Sequence, residues 1–141
     1  MELEISKLKR YDFANAKKED KVIVASSHIH SKSWYFRSKK VKSVSAKRGD
    51  VTFYDGSRYD KTGRKLGEHH RYDTSIVIAL ANINENITQI NSYIEFANLV
   101  SNILTQLAVV DKEKLLELPE DKLKKLNEVL TEVFDDSVQE K

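Results

Sequence analysis

The sequence contains no cysteine and has only four glycines and one proline among its 141 residues. Without cysteine the chain can form neither a disulfide nor a thiolate metal site, which favours a reducing compartment. The glycines form no phosphate-binding loop, and no serine lies in a Gly-x-Ser-x-Gly nucleophile elbow. Charged residues occupy the N-terminus, and the longest apolar run, 76–81, is too short to cross a bilayer. We therefore expect a cytoplasmic, non-enzymatic protein that uses no cofactor and contacts no membrane.

The two halves of the chain carry opposite charge. Residues 1–80 contain 18 Lys and Arg against 10 Asp and Glu, whereas residues 81–141 contain 6 against 12. The net charge is therefore +8 in the first half and −6 in the second. Such a division is typical of halves that bind different partners or face each other, and it also fits two ordinary solvated surfaces.

Short β patterns fill the basic half. A β-branched run at 22–24 predicts the first strand, residues 34–46 predict a long second strand, and residues 51–54 predict a third. Val41 and Val44 break the alternation of the second strand. We therefore expect its register to change between these two residues.

Turn signals separate the remaining strands. Asp55 and Gly56 predict a two-residue type I′ hairpin, and a second turn follows at 61–63. A last strand is centred on the apolar residues 76–78. Five or six short antiparallel strands at this spacing predict a small SH3-like β-barrel over residues 1–80, within an α+β chain.

The apolar period changes to that of a helix at Asn82. Apolar residues recur every three or four positions over 83–107 and predict one long, Asn-rich helix. Pro119 opens a last helix with its own apolar stripe. Together they predict an acidic helical hairpin and tail over 82–141. A leftover apolar face would contact the barrel or a second copy, giving a homodimer through the helix at 83–107.

Basic and aromatic residues interleave throughout the β half. Because side chains alternate along a strand, Trp34 and Phe36 are predicted to face the core while Tyr35 and Arg37 face solvent. Exposed tyrosine beside arginine and lysine suits single-stranded nucleic acid, which needs stacking surfaces and phosphate neutralisation. The same surface could bind an acidic protein or be merely solvated. The residues predicted to bind a partner or nucleic acid are Tyr35, Arg37, Lys39, Lys40, Lys42, Lys47, Arg48, Arg58, Tyr59, Arg64, Lys65, Arg71 and Tyr72.

Two other groups of residues carry weaker signals. His28 and His30 share one side of a strand pattern, and His69 and His70 lie near the end of the β half. No carboxylate completes a ligand set at a recognisable spacing, so we expect solvated histidines and no metal. The acidic helices could imitate a phosphate backbone or be ordinary solvated faces.

Three segments of the β half resemble a known group of proteins. The first is Lys18-Glu19-Asp20-Lys21-Val22-Ile23-Val24, the second is Val41-Lys-Ser-Val44, and the third is Tyr59-Asp-Lys-Thr-Gly-Arg64. They are similar to the Gly-Asp-x-Val-x-Val opening, a following strand and the Arg-Phe-Asp-x-x-Thr-Gly-Arg element of small phage-encoded β-barrel proteins with helical tails. Glu19 stands where that group favours Gly, and the helix here is longer.

The resemblance implies a phage accessory protein in the host cytoplasm. Such a protein would modulate or inhibit a host nucleic-acid machine, as anti-CRISPR and other anti-defence proteins do, by contact with a host protein or ribonucleoprotein. Direct nucleic-acid binding through the basic, aromatic barrel face is the first alternative. A structural or assembly protein that dimerises through its helices is the second.

Overall fold

A computed structural model describes residues 3–28, 31, 33–67 and 75–139 of the chain. The strands are β1 (Lys21–His28), β2 (Tyr35–Val44), β3 (Val51–Phe53), β4 (Arg58–Tyr59), β5 (Lys65–Leu66) and β6 (Ser75–Ala81). The helices are α1 (Asn84–Ala108), α2 (Lys112–Leu116) and α3 (Glu120–Gln139), and two short 3-10 turns, Ile5–Lys7 and Phe13–Asn15, precede β1. The order of elements confirms the predicted α+β chain.

The six strands form one antiparallel sheet in the order β5-β4-β3-β2-β1-β6. The first five follow one another as a meander, and β6 returns to pair with the free edge of β1. Backbone hydrogen bonds from residues 9–11 then extend the sheet beyond β6. Within the described residues β5 and β6 do not pair, so the sheet is open where the sequence predicts a closed barrel.

The pairing of β1 with β2 determines which side chains share a face. Ser26 lies opposite Tyr35, and Val24 lies opposite Arg37. Directly opposed residues in an antiparallel pair project from the same side of the sheet. Tyr35 and Arg37 therefore project from the same face as Val24. The register of β2 against β3 shifts between Val41 and Ser43, which confirms the predicted break.

This face of the sheet carries the hydrophobic core at one end. Phe13, from the second 3-10 turn, covers it: its ring stacks on Tyr59 at 5.4 Å between centroids and meets Phe53 edge-on at 6.5 Å. The buried residues that pack together here are Phe13, Val22, Val24, Val41, Val51, Phe53, Tyr59 and Ala79.

The opposite face of the sheet contacts the start of α1. Phe36 meets Tyr93 edge-on at 6.0 Å, and the Tyr93 hydroxyl accepts a hydrogen bond from the backbone N–H of Trp34 at 2.8 Å. Asn86 is 2% exposed, and its amide accepts from the N–H of Lys9 and donates to the carbonyls of Lys9 and Ala81. Tertiary hydrogen bonds thus offset the modest helix propensity of asparagine at this position. Both faces of β2 are therefore partly covered. The sequence predicts a core on the Phe36 face only, but the main hydrophobic cluster lies on the face of Tyr35 and Arg37.

Two loops with the same backbone hydrogen-bond pattern join β3 to β4 and β4 to β5. In the first, the N–H of Gly56 donates to the carbonyl of Phe53 at 3.0 Å; in the second, Gly63 bonds Asp60 in the same way. The glycines have φ of +88° and +90°, whereas Asp55 does not have positive φ. This is a type I turn followed by a left-handed glycine, so the predicted type I′ turn at Asp55 and Gly56 is wrong.

By compactness the chain divides into residues 1–95 and 96–141, with the boundary inside α1 and not near residue 81. In the second unit, Asp111 caps α2 by accepting a hydrogen bond from the N–H of Lys114 at 2.9 Å. Of its residues up to 134, only Ala97, Leu115 and Leu123 are even partly covered. No helix in the described part of the chain combines the length and apolarity needed to cross a bilayer.

Candidate nucleic-acid interface

A cleft of about 400 Å³ lies beside the core, on the face that carries Tyr35 and Arg37. Its lining residues are Val24, Ser26, Tyr35, Phe36, Arg37, Lys39, Tyr59, Lys65 and Val77. Lys65 belongs to β5 and Val77 to β6, the two outermost strands of the sheet. The sheet must therefore curve strongly enough for both of its ends to border one cleft, which makes this face concave.

Three alternate residues of β2 give the cleft its chemistry. Tyr35 is 70% exposed, Arg37 is also exposed, and the Lys39 side chain is only 11% exposed. Because alternate residues of a strand share a face, the three form a row that runs from solvent toward the core. Within the described residues Arg37 forms no ion pair. The row thus offers an open aromatic ring, an available guanidinium and a partly buried ammonium.

The ammonium of Lys39 is held by several groups. Its Nζ lies 2.9 Å from a carboxylate oxygen of Asp55 and 3.1 Å from the Ser57 hydroxyl. It also lies 5.9 Å from the ring centroid of Phe53 and 6.0 Å from that of Tyr59, within cation–π range. These contacts fix the position of the charge without neutralising the cleft, since Arg37 also lines it.

The carboxylate of Asp55 is ionised at neutral pH although its partial burial opposes ionisation. Burial alone would raise its pKa, but hydrogen bonds from the hydroxyl and N–H of Ser57, together with Lys39, lower the pKa to about 2. The β3–β4 loop therefore supplies a permanent counter-charge to Lys39 at neutral pH.

Tyr59 is buried at the inner wall of the cleft. It is 1% exposed, and its hydroxyl has no hydrogen-bond partner among the described residues. Burial raises the pKa of this hydroxyl, so it is a neutral donor at physiological pH. A buried hydroxyl without a partner costs about 1–3 kcal/mol, which an acceptor atom in the cleft would recover. The sequence predicts Tyr59 as one of the exposed binding residues, whereas the structure buries it.

Of the predicted site residues, the structure brings Tyr35, Arg37, Lys39, Tyr59 and Lys65 together. Lys40 projects from the opposite face of β2 and lies 2.9 Å from Glu19, whose carboxylate also accepts a hydrogen bond from Tyr54. Arg58 lies 3.8 Å from Asp50. Those that do not line the cleft are Lys40, Lys42, Lys47, Arg48, Arg58 and Arg64. Arg71 and Tyr72 are outside the described residues.

The prediction did not include the floor of the cleft. Ser26 and Val77 come from β1 and β6 and lie directly opposite each other. The polar stretch from Ser26 to Ser33 predicts a loop or a frayed strand end, and β1 continues into it as far as His28. The alternation of Val22, Val24 and Ser26 was the available signal that the strand extends and presents these residues on one face.

The structure describes only one of the four histidines, so it does not test whether they come together. His28 ends β1 and is exposed, while His30, His69 and His70 lie outside the described residues. Across the residues that are described, no three His, Cys, Asp or Glu side chains lie close enough to hold a metal ion.

Comparison with known proteins identifies no relative. No protein-family model, no curated protein and no solved structure matches this chain.

Proposed function

We propose that this chain is a non-enzymatic protein that binds single-stranded nucleic acid in the concave cleft of its sheet. The observation that supports this most is the row of Tyr35, Arg37 and Lys39 along one strand. Stacking on an exposed ring and pairing of phosphate with arginine are the two contacts on which sequence-tolerant binding of single strands depends. We infer that Tyr35 stacks on a base and that Arg37 contacts the neighbouring phosphate.

The size and shape of the cleft favour a single strand over a duplex. A volume of about 400 Å³ is at the small end of the usual range of about 300–1,000 Å³ for ligand pockets. It suits one nucleotide-sized group. A base inside a duplex is stacked and paired, and must be taken out of the helix at a cost of a few kcal/mol before it can enter such a cleft. The Tyr59 hydroxyl would then donate to an oxygen or nitrogen of the bound group.

We also propose that the curved sheet is an SH3-like small barrel in its connectivity. The meander of β1 to β5, followed by the return of β6 to the edge of β1, supports this assignment. Phe13 fills one end of the concave face, so the other end stays available for a ligand.

The proposed binding is tested by titrating the protein into labelled oligonucleotides, single-stranded and duplex, at several salt concentrations. We expect tighter binding of the single strand, with a logarithm of affinity that falls linearly with the logarithm of salt. Replacing Tyr35 by Ala should weaken single-strand binding by about 1–3 kcal/mol, the contribution of one stacked base. Absence of binding at low salt, or a clear preference for duplex, would refute the proposal.

A second candidate function is protein contact with a host nucleic-acid machine, as an anti-defence or anti-CRISPR protein of phage type. Carboxylates that are exposed on α2, on α3 and just after α2 support it, because such a surface could occupy a basic groove that normally holds phosphates. The exposed carboxylates are Glu113, Glu117, Glu120, Asp121, Glu128 and Glu132.

A plaque assay tests this second function. Cells with an active CRISPR system would express the chain and be infected with a targeted phage. Restored plaque formation, lost when Glu128 and Glu132 are changed to Lys, is the expected result. Unchanged protection against the phage would contradict the proposal for that system.

A further inference from the structure

The second half of α1 is uncharged and exposed. Residues 96–110 contain no Asp, Glu, Lys, Arg or His. An apolar row on this stretch lies in solvent, where a helix normally presents charged groups. The exposed apolar residues of the row are Phe96, Leu99, Val100, Ile103, Leu104, Leu107 and Val110.

The last helix, α3, has an exposed apolar stripe of its own. Leu126, Leu130 and Val133 recur at the three-and-four spacing of a helix-packing seam, and Val129 and Phe134 widen it; all five are exposed. The charged residues Lys124, Lys125, Glu128 and Glu132 occupy the other side of this helix. The stripe therefore has the form of a face that packs on other helices.

These two surfaces together leave a large apolar area in water. Their side chains, about half exposed each, amount to an area on the order of 1,000 Å². A standard protein interface buries about 800 Å² on each partner. In water such helices depend on tertiary packing for their stability. The exposed apolar area is therefore as large as the surface that one partner buries in a standard interface.

We propose that residues 96–134 form the interface of a symmetric homodimer. A second copy is the one partner present in equal amount whenever the chain is made, and two-fold pairing of one surface with itself is the commonest form of oligomer. The charge of this half restricts where two copies could meet. Residues 81–141 carry a net charge of −6, so two copies repel each other unless they meet along an uncharged surface. The stretch 96–110 provides that surface.

The test compares the molar mass of the wild type and two variants by light scattering during size exclusion, at about 5 and 100 µM. Leu130→Lys places a charge within the apolar stripe, and Thr131→Lys adds the same charge to the adjacent position on the polar side of α3. We expect a dimer for the wild type and Thr131→Lys. Leu130→Lys should raise the dimer dissociation constant at least roughly 30-fold, as loss of an interface hot spot does.

A second measurement keeps the proposal testable if Leu130→Lys fails to fold. The far-ultraviolet helical signal of the wild type should fall on dilution, because the helices lose their cover as the dimer dissociates, while Trp34 fluorescence from the first unit stays constant. A wild-type monomer at 100 µM with an unchanged helical signal would overturn the proposal. So would a wild type that is monomeric in solution and sediments with lipid vesicles, or a Leu130→Lys variant as dimeric as Thr131→Lys.

Discussion

Replacement of Gly63 by Ala should reveal how tightly Phe13 closes the core. The two loops that follow β3 and β4 are the same, and each ends in a glycine with positive φ, +88° at Gly56 and +90° at Gly63. An alanine at either position is strained by about 1–2 kcal/mol, because Cβ crowds the next carbonyl oxygen in left-handed backbone. The two sites therefore share one backbone penalty.

The surroundings of the two glycines differ. A Cβ at Gly63 would lie 3.1 Å and 3.3 Å from ring atoms of Phe13, whereas a Cβ at Gly56 would have no neighbour within 4 Å. Phe13 cannot easily move, since its ring stacks on buried Tyr59. Overpacking of this kind costs about 1–3 kcal/mol. We expect Gly56→Ala to lower the free energy of unfolding by about 1–2 kcal/mol, and Gly63→Ala to lower it by about 2–5 kcal/mol.

Urea unfolding followed by the fluorescence of Trp34, the single tryptophan, measures the free energy of unfolding of the first unit in both variants. Gly56→Ala is the matched control for backbone strain. In a Phe13→Leu background the difference in unfolding free energy between Gly63→Ala and Gly56→Ala should shrink. The reason is that the new Cβ at position 63 then meets a shorter side chain, which is branched differently. Equal losses for the two glycine variants in the wild-type background would refute the placement of Phe13 against the second loop.

Three further predictions concern the cleft and its support. Asp55 has a depressed pKa, of about 2, so its contribution to stability is present above its ordinary pKa of 3.8 and is lost as the pH falls through about 2. In urea titrations from pH 5 to 2, Asp55→Asn should therefore lose less stability than the wild type, and equal losses would contradict the assignment. Asn86→Ala should cost about 1–3 kcal/mol because it removes three hydrogen bonds from a side chain that is 2% exposed and leaves the N–H of Lys9 without its acceptor, while exposed Asn91→Ala should change the urea midpoint little. Tyr59→Phe should raise the stability of the ligand-free protein by up to about 1–3 kcal/mol, since it removes a buried hydroxyl that has no partner, yet should weaken oligonucleotide binding in the titration. A large loss of stability in Tyr59→Phe would show that the hydroxyl is already satisfied.

Much of the fold follows from local patterns in the sequence. The β-branched run of β1, the break in β2 and the long apolar period of α1 each reflect a repeat that one element imposes by itself. The type of the two hairpin loops does not follow so directly. Asp-Gly is compatible with several turns, and the choice between them depends on which residues of β3 and β4 pair. The hydrogen bond from Phe53 N–H to the Ser57 carbonyl settles that pairing.

The candidate site could be predicted only in part because it combines distant strands. The row of Tyr35, Arg37 and Lys39 can be found from alternation alone, since it lies within one strand. Tyr59 and Lys65 join it only through the curvature of the sheet, which no local pattern encodes. A strand of two residues, Arg58–Tyr59, also has no alternation to show which side chain faces inward. Burial of Tyr59 beneath Phe13 depends on a contact 46 positions away in the sequence.

The most direct test of nucleic-acid binding in the cleft compares Arg37→Ala with Arg48→Ala in the salt-dependent titration of a single-stranded oligonucleotide. Both residues are exposed arginines of the basic half, but Arg37 lines the cleft and Arg48 lies in the turn after β2. We predict that Arg37→Ala weakens binding and reduces the slope of log affinity against log salt by about 1, whereas Arg48→Ala leaves both nearly unchanged. Equal effects of the two substitutions would mean that binding follows net charge alone, and would contradict a role for the cleft.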